Sequence, residues 1–109
     1  MTSVYSQAPA DKRIAENEHA YALEDKYPMS PGHSLVIPRR EFASWFDATP
    51  EEHAALMALV ADVKGLLDAH YAPTGYRIMI NDGSCQHIRH LHVHLIPSYT
   101  GSPDRPGFR

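Results

Sequence analysis

Residues 90 to 96 read His-Leu-His-Val-His-Leu-Ile, a strict alternation of imidazole and aliphatic side chains inside the longer stretch "HIRHLHVHLIPSY". On a β-strand successive side chains point to opposite faces, so His90, His92 and His94 share one face while Leu91, Val93 and Leu95 share the other. The aliphatic face needs an apolar cover, and one segment supplies it. From about Pro50 to about Tyr71, Leu56, Leu59, Val60, Val63, Leu66 and Leu67 recur at steps of three and four, while Glu51, Asp62 and Lys64 fall elsewhere. Thr49 suits the N-cap, Pro50 the first helical position, and Glu52 completes a Thr-x-x-Glu capping box. Pro73 and Gly75 close the helix.

The rest of the chain supplies a sheet. "GYRIMI" reads as a strand with Tyr76, Ile78 and Ile80 on one face, and "NDG" at residues 81 to 83 is a turn signal before the histidine stretch returns as the next strand. "SLVIP" is a buried strand stopped by Pro38, and "RIAEN" and "HAYALED" form a hairpin joined near Asn17 and Glu18. "EFASWFDA" makes one short helical turn. About five short strands joined locally, with a single helical crossover, give an α+β fold: a mainly antiparallel sheet with one long helix packed on it. At 109 residues the chain is expected to be a single domain, 1–109, with irregular tails at 1–12 and 100–109.

Composition removes several classes. The net charge is -3 and the basic runs are limited to "DKR" and "RR", so duplex nucleic acid is not the expected partner. No apolar run approaches the ~20 residues of a membrane span, and "MTSVYSQAPADKR" lacks the apolar middle of a signal peptide. Cys85, the one cysteine, forms no internal disulfide and no cysteine-based zinc ribbon, which fits a reducing cytoplasm.

The histidine face then carries the chemistry. At about 3.3 Å rise per residue, His90 and His94 stand roughly 13 Å apart at their backbones, so the three rings do not easily share one metal ion. Two of them, with His33 as a third ligand, would make a zinc hydrolase. The other reading is nucleophilic catalysis, because imidazole is partly uncharged near neutral pH. The middle ring, His92, is the natural nucleophile, provided that one nitrogen donates to a backbone carbonyl and the other presents its lone pair to a phosphorus centre. A protonated neighbour would hold phosphate oxygens or protonate the leaving group. His19, His53 and His70 are read as surface or packing residues.

"HLHVHLI" resembles the His-φ-His-φ-His-φ-φ signature of the histidine triad (HIT) superfamily of nucleotide hydrolases and transferases. "DKYPMSPGHSLVIPRR" resembles a second block of that family, and "TPEE", the amphipathic helix and "GYRIMINDG" follow in the family's order. The likeness spans roughly residues 13 to 105 and is nearest to the bacterial, Fhit-like group acting on dinucleoside polyphosphates. It implies a HIT-like fold and attack by His92 on the α-phosphate of a nucleotide, through a covalent nucleotidyl-histidine intermediate. It implies that His94 contacts phosphate or the departing group, that His90 and His33 orient the cluster, that Asp25 meets the ribose hydroxyls and that Leu23 lines the base pocket. Asn81 and Gln86 take the family's amide positions near the phosphate. It further implies a homodimer with one continuous sheet, no required cofactor, and no structural zinc, since "SVYSQAP" lacks the cysteines that bind it in some members.

Three positions and one loop length depart from the family pattern. The loop "DGSCQHIR" is about two residues short, His87 stands where a small hydroxyl residue would meet the phosphate, Cys85 replaces a small residue, and Ser98 replaces an arginine after "IP". A nucleotide-binding sensor without turnover is therefore an alternative to the enzyme. Arg39 and Arg40 are candidates for the phosphate rim or for a solvated strand end, and Trp45 is a packing residue.

Overall fold

The computed structural model describes residues 3–100. Five strands, β1 (Ala15–Glu16), β2 (Ala20–Glu24), β3 (Ser34–Pro38), β4 (Gly75–Ile80) and β5 (Val93–Ser98), form one antiparallel sheet in the order β1-β2-β3-β5-β4. The helix α1 (Pro50–Tyr71) carries the chain from β3 to β4 and covers one face. Its start follows from local chemistry: Thr49 Oγ1 accepts from the Glu52 amide at 3.1 Å, and the Glu52 carboxylate accepts from the Thr49 amide at 2.9 Å. Its end is Ala72, in the left-handed region at φ 49° and ψ 51°.

Leu56, Leu59, Val60, Val63 and Leu67 of α1 pack on Ala20, Ala22, Val36, Leu91, Val93 and Leu95. The aliphatic side of the histidine stretch is thus the floor of the core. Leu66, expected in the apolar stripe, is instead 50% exposed. At 100° per residue it falls to one flank of the buried line, beyond the reach of the sheet. Tyr76 and Ile80 lean on the core, whereas Ile78 on the same face of β4 is 59% exposed, because β4 is an edge strand.

The histidine stretch differs from expectation in one respect. The regular strand begins at Val93, so only His94 of the three sits in the ladder, opposite Leu35 of β3 and Met79 of β4. His90 lies in a bend, and the Leu91 amide donates to the Phe42 carbonyl at 2.7 Å. Side chains still alternate there, because Leu91 reaches the same core as Val93. The N-terminal stretch expected to be irregular holds a turn at residues 4 to 7 and a 3-10 helix at Ala10–Lys12. The expected tail at 101–109 lies outside the described residues.

Candidate active site

The face of the sheet away from α1 carries the cluster Tyr21, Leu23, Leu35 and Ile37. Strand register places Leu23 beside Leu35, Leu35 beside His94, and His94 beside Met79 in one row across the sheet. Asp25 follows β2 on Leu23's side of the strand. His33 enters just before β3, after Gly32 at φ +90°, where an added Cβ would lie 3.1 Å from both Leu67 Cδ2 and Tyr71 Cδ2. A glycine is required there for conformation and for room. The loop therefore passes under the end of α1 and delivers His33 to the triad.

Hydrogen-bond partners fix the ring protons. The Met29 amide donates to His33 Nδ1 at 3.0 Å, so His33 carries its proton on Nε2. That nitrogen lies 2.9 Å from His94 Nδ1 and 3.3 Å from Asp25 Oδ2, and its single proton is shared between them. His94 Nδ1 then accepts, and its own proton is left on Nε2. His92 Nδ1 donates to the His90 backbone carbonyl at 2.9 Å, which leaves Nε2 of His92 with a free lone pair. The His92 and His94 rings stand edge to face with centroids 5.0 Å apart.

Burial, the largest influence, holds His33, His90 and His94 below the usual histidine range. For His94 the nearby His92 and His33 rings add to it, and the pKa falls to about 4. Asp25 works in the opposite direction on both His33 and His94. His94 is consequently a neutral ring with an N–H donor at Nε2, not the imidazolium considered from the sequence.

The site and fold agree with what the chain matches. The family model for the HIT domain matches residues 6–101. The chain belongs to the HIT family. It is 32% identical over 89 residues to an uncharacterized HIT-like protein of Mycoplasma pneumoniae, covering 80% of this chain and 62% of that one. It is 32% identical over 91 residues to an AP-4-A phosphorylase of Mycobacterium tuberculosis, covering 81% of this chain and 47% of the phosphorylase. It also overlays, with a TM-score of 0.81 and 31% identity, on a zinc-bound histidine triad family protein from Mycobacterium smegmatis, covering 96% of this chain and 86% of that one.

The other residues singled out in this HIT chain are distributed unevenly. Asn81, half-buried, follows β4 directly, so strand alternation carries it to the face of Met79 and the histidines. Its neighbour Asp82 accepts from Ser44 Oγ and the Trp45 amide, which ties the loop down. Gln86 is buried, and its Nε2 donates to the Ala43 carbonyl at 2.8 Å, while Oε1 is buried with no protein partner. His87 stays exposed on the loop, and the exposed Cys85 thiol donates to the Asp82 carbonyl. Arg39 pairs with Glu16 at 2.6 Å and Arg40 grips both carboxylate oxygens of Glu52, so both cations are neutralised within the chain. Trp45 packs on the core and stacks on His53 at 4.3 Å.

Three residues absent from the sequence reading also reach the cluster. The Tyr5 ring lies 5.1 Å from that of His92 and packs with Leu23 and its neighbours; burial first, and Asp25 second, push its phenol up to about 12. Ser3 and Glu41 meet His90. "SVYS" showed a pattern, two serines flanking an aromatic residue, but the partner lies 87 positions away and no local rule reveals it.

Proposed function

We propose that this HIT chain is a nucleotide hydrolase or nucleotidyl transferase acting on a dinucleoside polyphosphate, a nucleoside phosphoramidate or a similar substrate. The observation that carries this reading is the 2.9 Å bond from His92 Nδ1 to the His90 carbonyl, which aims an unprotonated Nε2 away from the backbone. That lone pair attacks the α-phosphorus, the bond to the leaving group breaks, and a nucleotidyl-His92 forms. Water then attacks the same phosphorus, the P–N bond breaks, and the nucleoside monophosphate departs. His94 Nε2–H donates to a phosphate oxygen or to the departing group. Leu23 and Asp25 meet base and ribose, Asn81 and Gln86 support the phosphate side, and His87 lies on the loop that tunes substrate choice. The AP-4-A phosphorylase among its relatives supports nucleotide chemistry in general.

A zinc-dependent reading draws on Asp25, His33 and His94, whose ligand atoms lie within 4.8 Å of one another. A metal on His33 Nε2 would force the ring proton onto Nδ1, facing the Met29 amide at 3.0 Å. The donor set does not fit, and the reaction above needs no metal step. The reading includes a homodimer joined through the open edge of β4, and a cytoplasmic location in which Cys85 stays reduced. No helix among the described residues is long and apolar enough to cross a membrane.

The test is single-turnover trapping with a panel of dinucleoside polyphosphates, phosphoramidates and adenylyl sulfate. The expected result is an acid-labile nucleotidyl adduct seen by mass, absent in His92→Ala at unchanged circular dichroism, and insensitive to chelator. Full activity in His92→Ala overturns the proposal, and tight binding with no adduct on any substrate favours the sensor.

A further inference from the structure

The N-terminal segment reaches the buried side of the triad. Ser3 Oγ lies 2.5 Å from His90 Nδ1, and the opposite nitrogen of that ring, Nε2, lies 2.7 Å from the Pro38 carbonyl. A carbonyl only accepts, so the His90 proton is on Nε2, Nδ1 is an acceptor, and the Ser3 hydroxyl is its donor. Ser3 is itself held from several sides. Its amide donates to the Glu41 carboxylate, and its Oγ accepts from the Ser6 amide at 3.2 Å and lies 3.3 Å from Ser6 Oγ. Between the two serines, the Tyr5 ring packs 6.0 Å from His90 and 5.1 Å from His92.

His90 is only 1% exposed, so these two contacts at opposite edges of the ring hold the whole residue, including its backbone carbonyl. That carbonyl is the acceptor that sets the His92 tautomer. We propose that Ser3 is a positioning residue for His92, acting through His90, an inference that rests on reading His92 as the nucleophile. Glu41, Ser3, the His90 ring and the His90 carbonyl then form a path of contacts from a surface carboxylate to His92 Nδ1, the nitrogen opposite the reacting Nε2.

The network also decides a charge. Facing the His90 ring are Ser3 and Tyr5 from the N-terminal segment, the Pro38 carbonyl, the Arg40 backbone and the Glu41 carboxylate (4.0 Å from Nδ1) from the β3 side, and His92 from its own stretch. With Ser3 donating and Pro38 accepting, only the neutral ring satisfies both partners. Burial, the largest influence, favours the same state and His92 adds to it, while the Pro38 carbonyl, the Glu41 carboxylate and the Arg40 backbone oppose it. Without the Ser3 hydroxyl, Nδ1 is a buried unpaired acceptor beside a carboxylate, and a second proton would fill it.

Ser3→Ala, Ser3→Thr and the double variant Ser3→Ala with Glu41→Gln test this in the full chain. The readouts are the ¹⁵N shifts of the His90 ring during pH titration and the pH profile of kcat. Ser3→Ala is expected to raise the His90 pKa by about one unit. The acid limb of kcat should move upward in pH with it, and kcat should fall on the order of tenfold, with KM within about twofold. Ser3→Thr restores both readouts, and the double variant returns the His90 titration to its original position. A His90 titration and pH profile in Ser3→Ala identical to the parent overturn the proposal. The ring shifts are read without substrate, so they decide the role of Ser3 even if His92→Ala proves active and the proposed reaction fails.

Discussion

His94 gathers more unfavourable surroundings than any other ring in the cluster: it is half-buried, it faces the His92 and His33 imidazoles, and its pKa falls to about 4 from an ordinary 6.5. Between those values the unfolded chain binds a proton that the folded chain refuses. Stability should therefore rise with pH through this window and be lost as pH falls through it. From pH 6.5 to pH 5 the His94 contribution is about 2 kcal/mol, and burial of His33 and His90 acts in the same direction. Urea midpoints measured at both pH values should show this drop, and His94→Asn should remove most of it. An equal slope in the variant would show that His94 is not the group responsible.

At the level of elements, two left-handed positions make opposite predictions. Ala72 ends α1 at φ 49° with a Cβ that this conformation disfavours, so Ala72→Gly should stabilise by about 1 kcal/mol. Gly32 sits at φ +90° against Leu67 and Tyr71, so Gly32→Ala should destabilise by about 2 kcal/mol and shift His33. Thermal unfolding of the two variants, which should bracket the parent, checks both. The helix was legible to the residue because its signals are local: Thr49, Pro50 and Glu52 cap it, and the predicted bounds are those found. Strand β4 and the hairpin at Asn17 were legible for the same reason, since Asn17 Oδ1 accepts from the His19 and Ala20 amides two and three positions on. Leu66 was misplaced because periodicity counts apolar residues but does not show how wide a sheet lies beneath them. Ser3, Tyr5 and Glu41 were missed because their contacts with the triad span long stretches of chain and depend on where a segment without strand or α-helix comes to rest.

For the molecule as a whole, the sheet has two edge strands, β1 and β4, and β4 is the longer. β4 ends the strand order, Ile78 is 59% exposed on it, and Tyr76 beside it donates to Asp68 of α1 at 2.6 Å. Sedimentation should give a species of twice the 12.2 kDa chain mass, and Ile78→Lys should shift it toward monomer. A parent that sediments as a monomer at micromolar concentration would remove the dimer from the proposal. The two-sided strand at β5 has a last consequence. A slip of one residue against β3 would turn the imidazoles into the core and push Leu91, Val93 and Leu95 onto the reacting face. If the proposed reaction holds, folding and chemistry share a single reading frame, and a form slipped by one residue would present none of the three histidines to a substrate. Specific activity on refolding would then count the correctly threaded molecules.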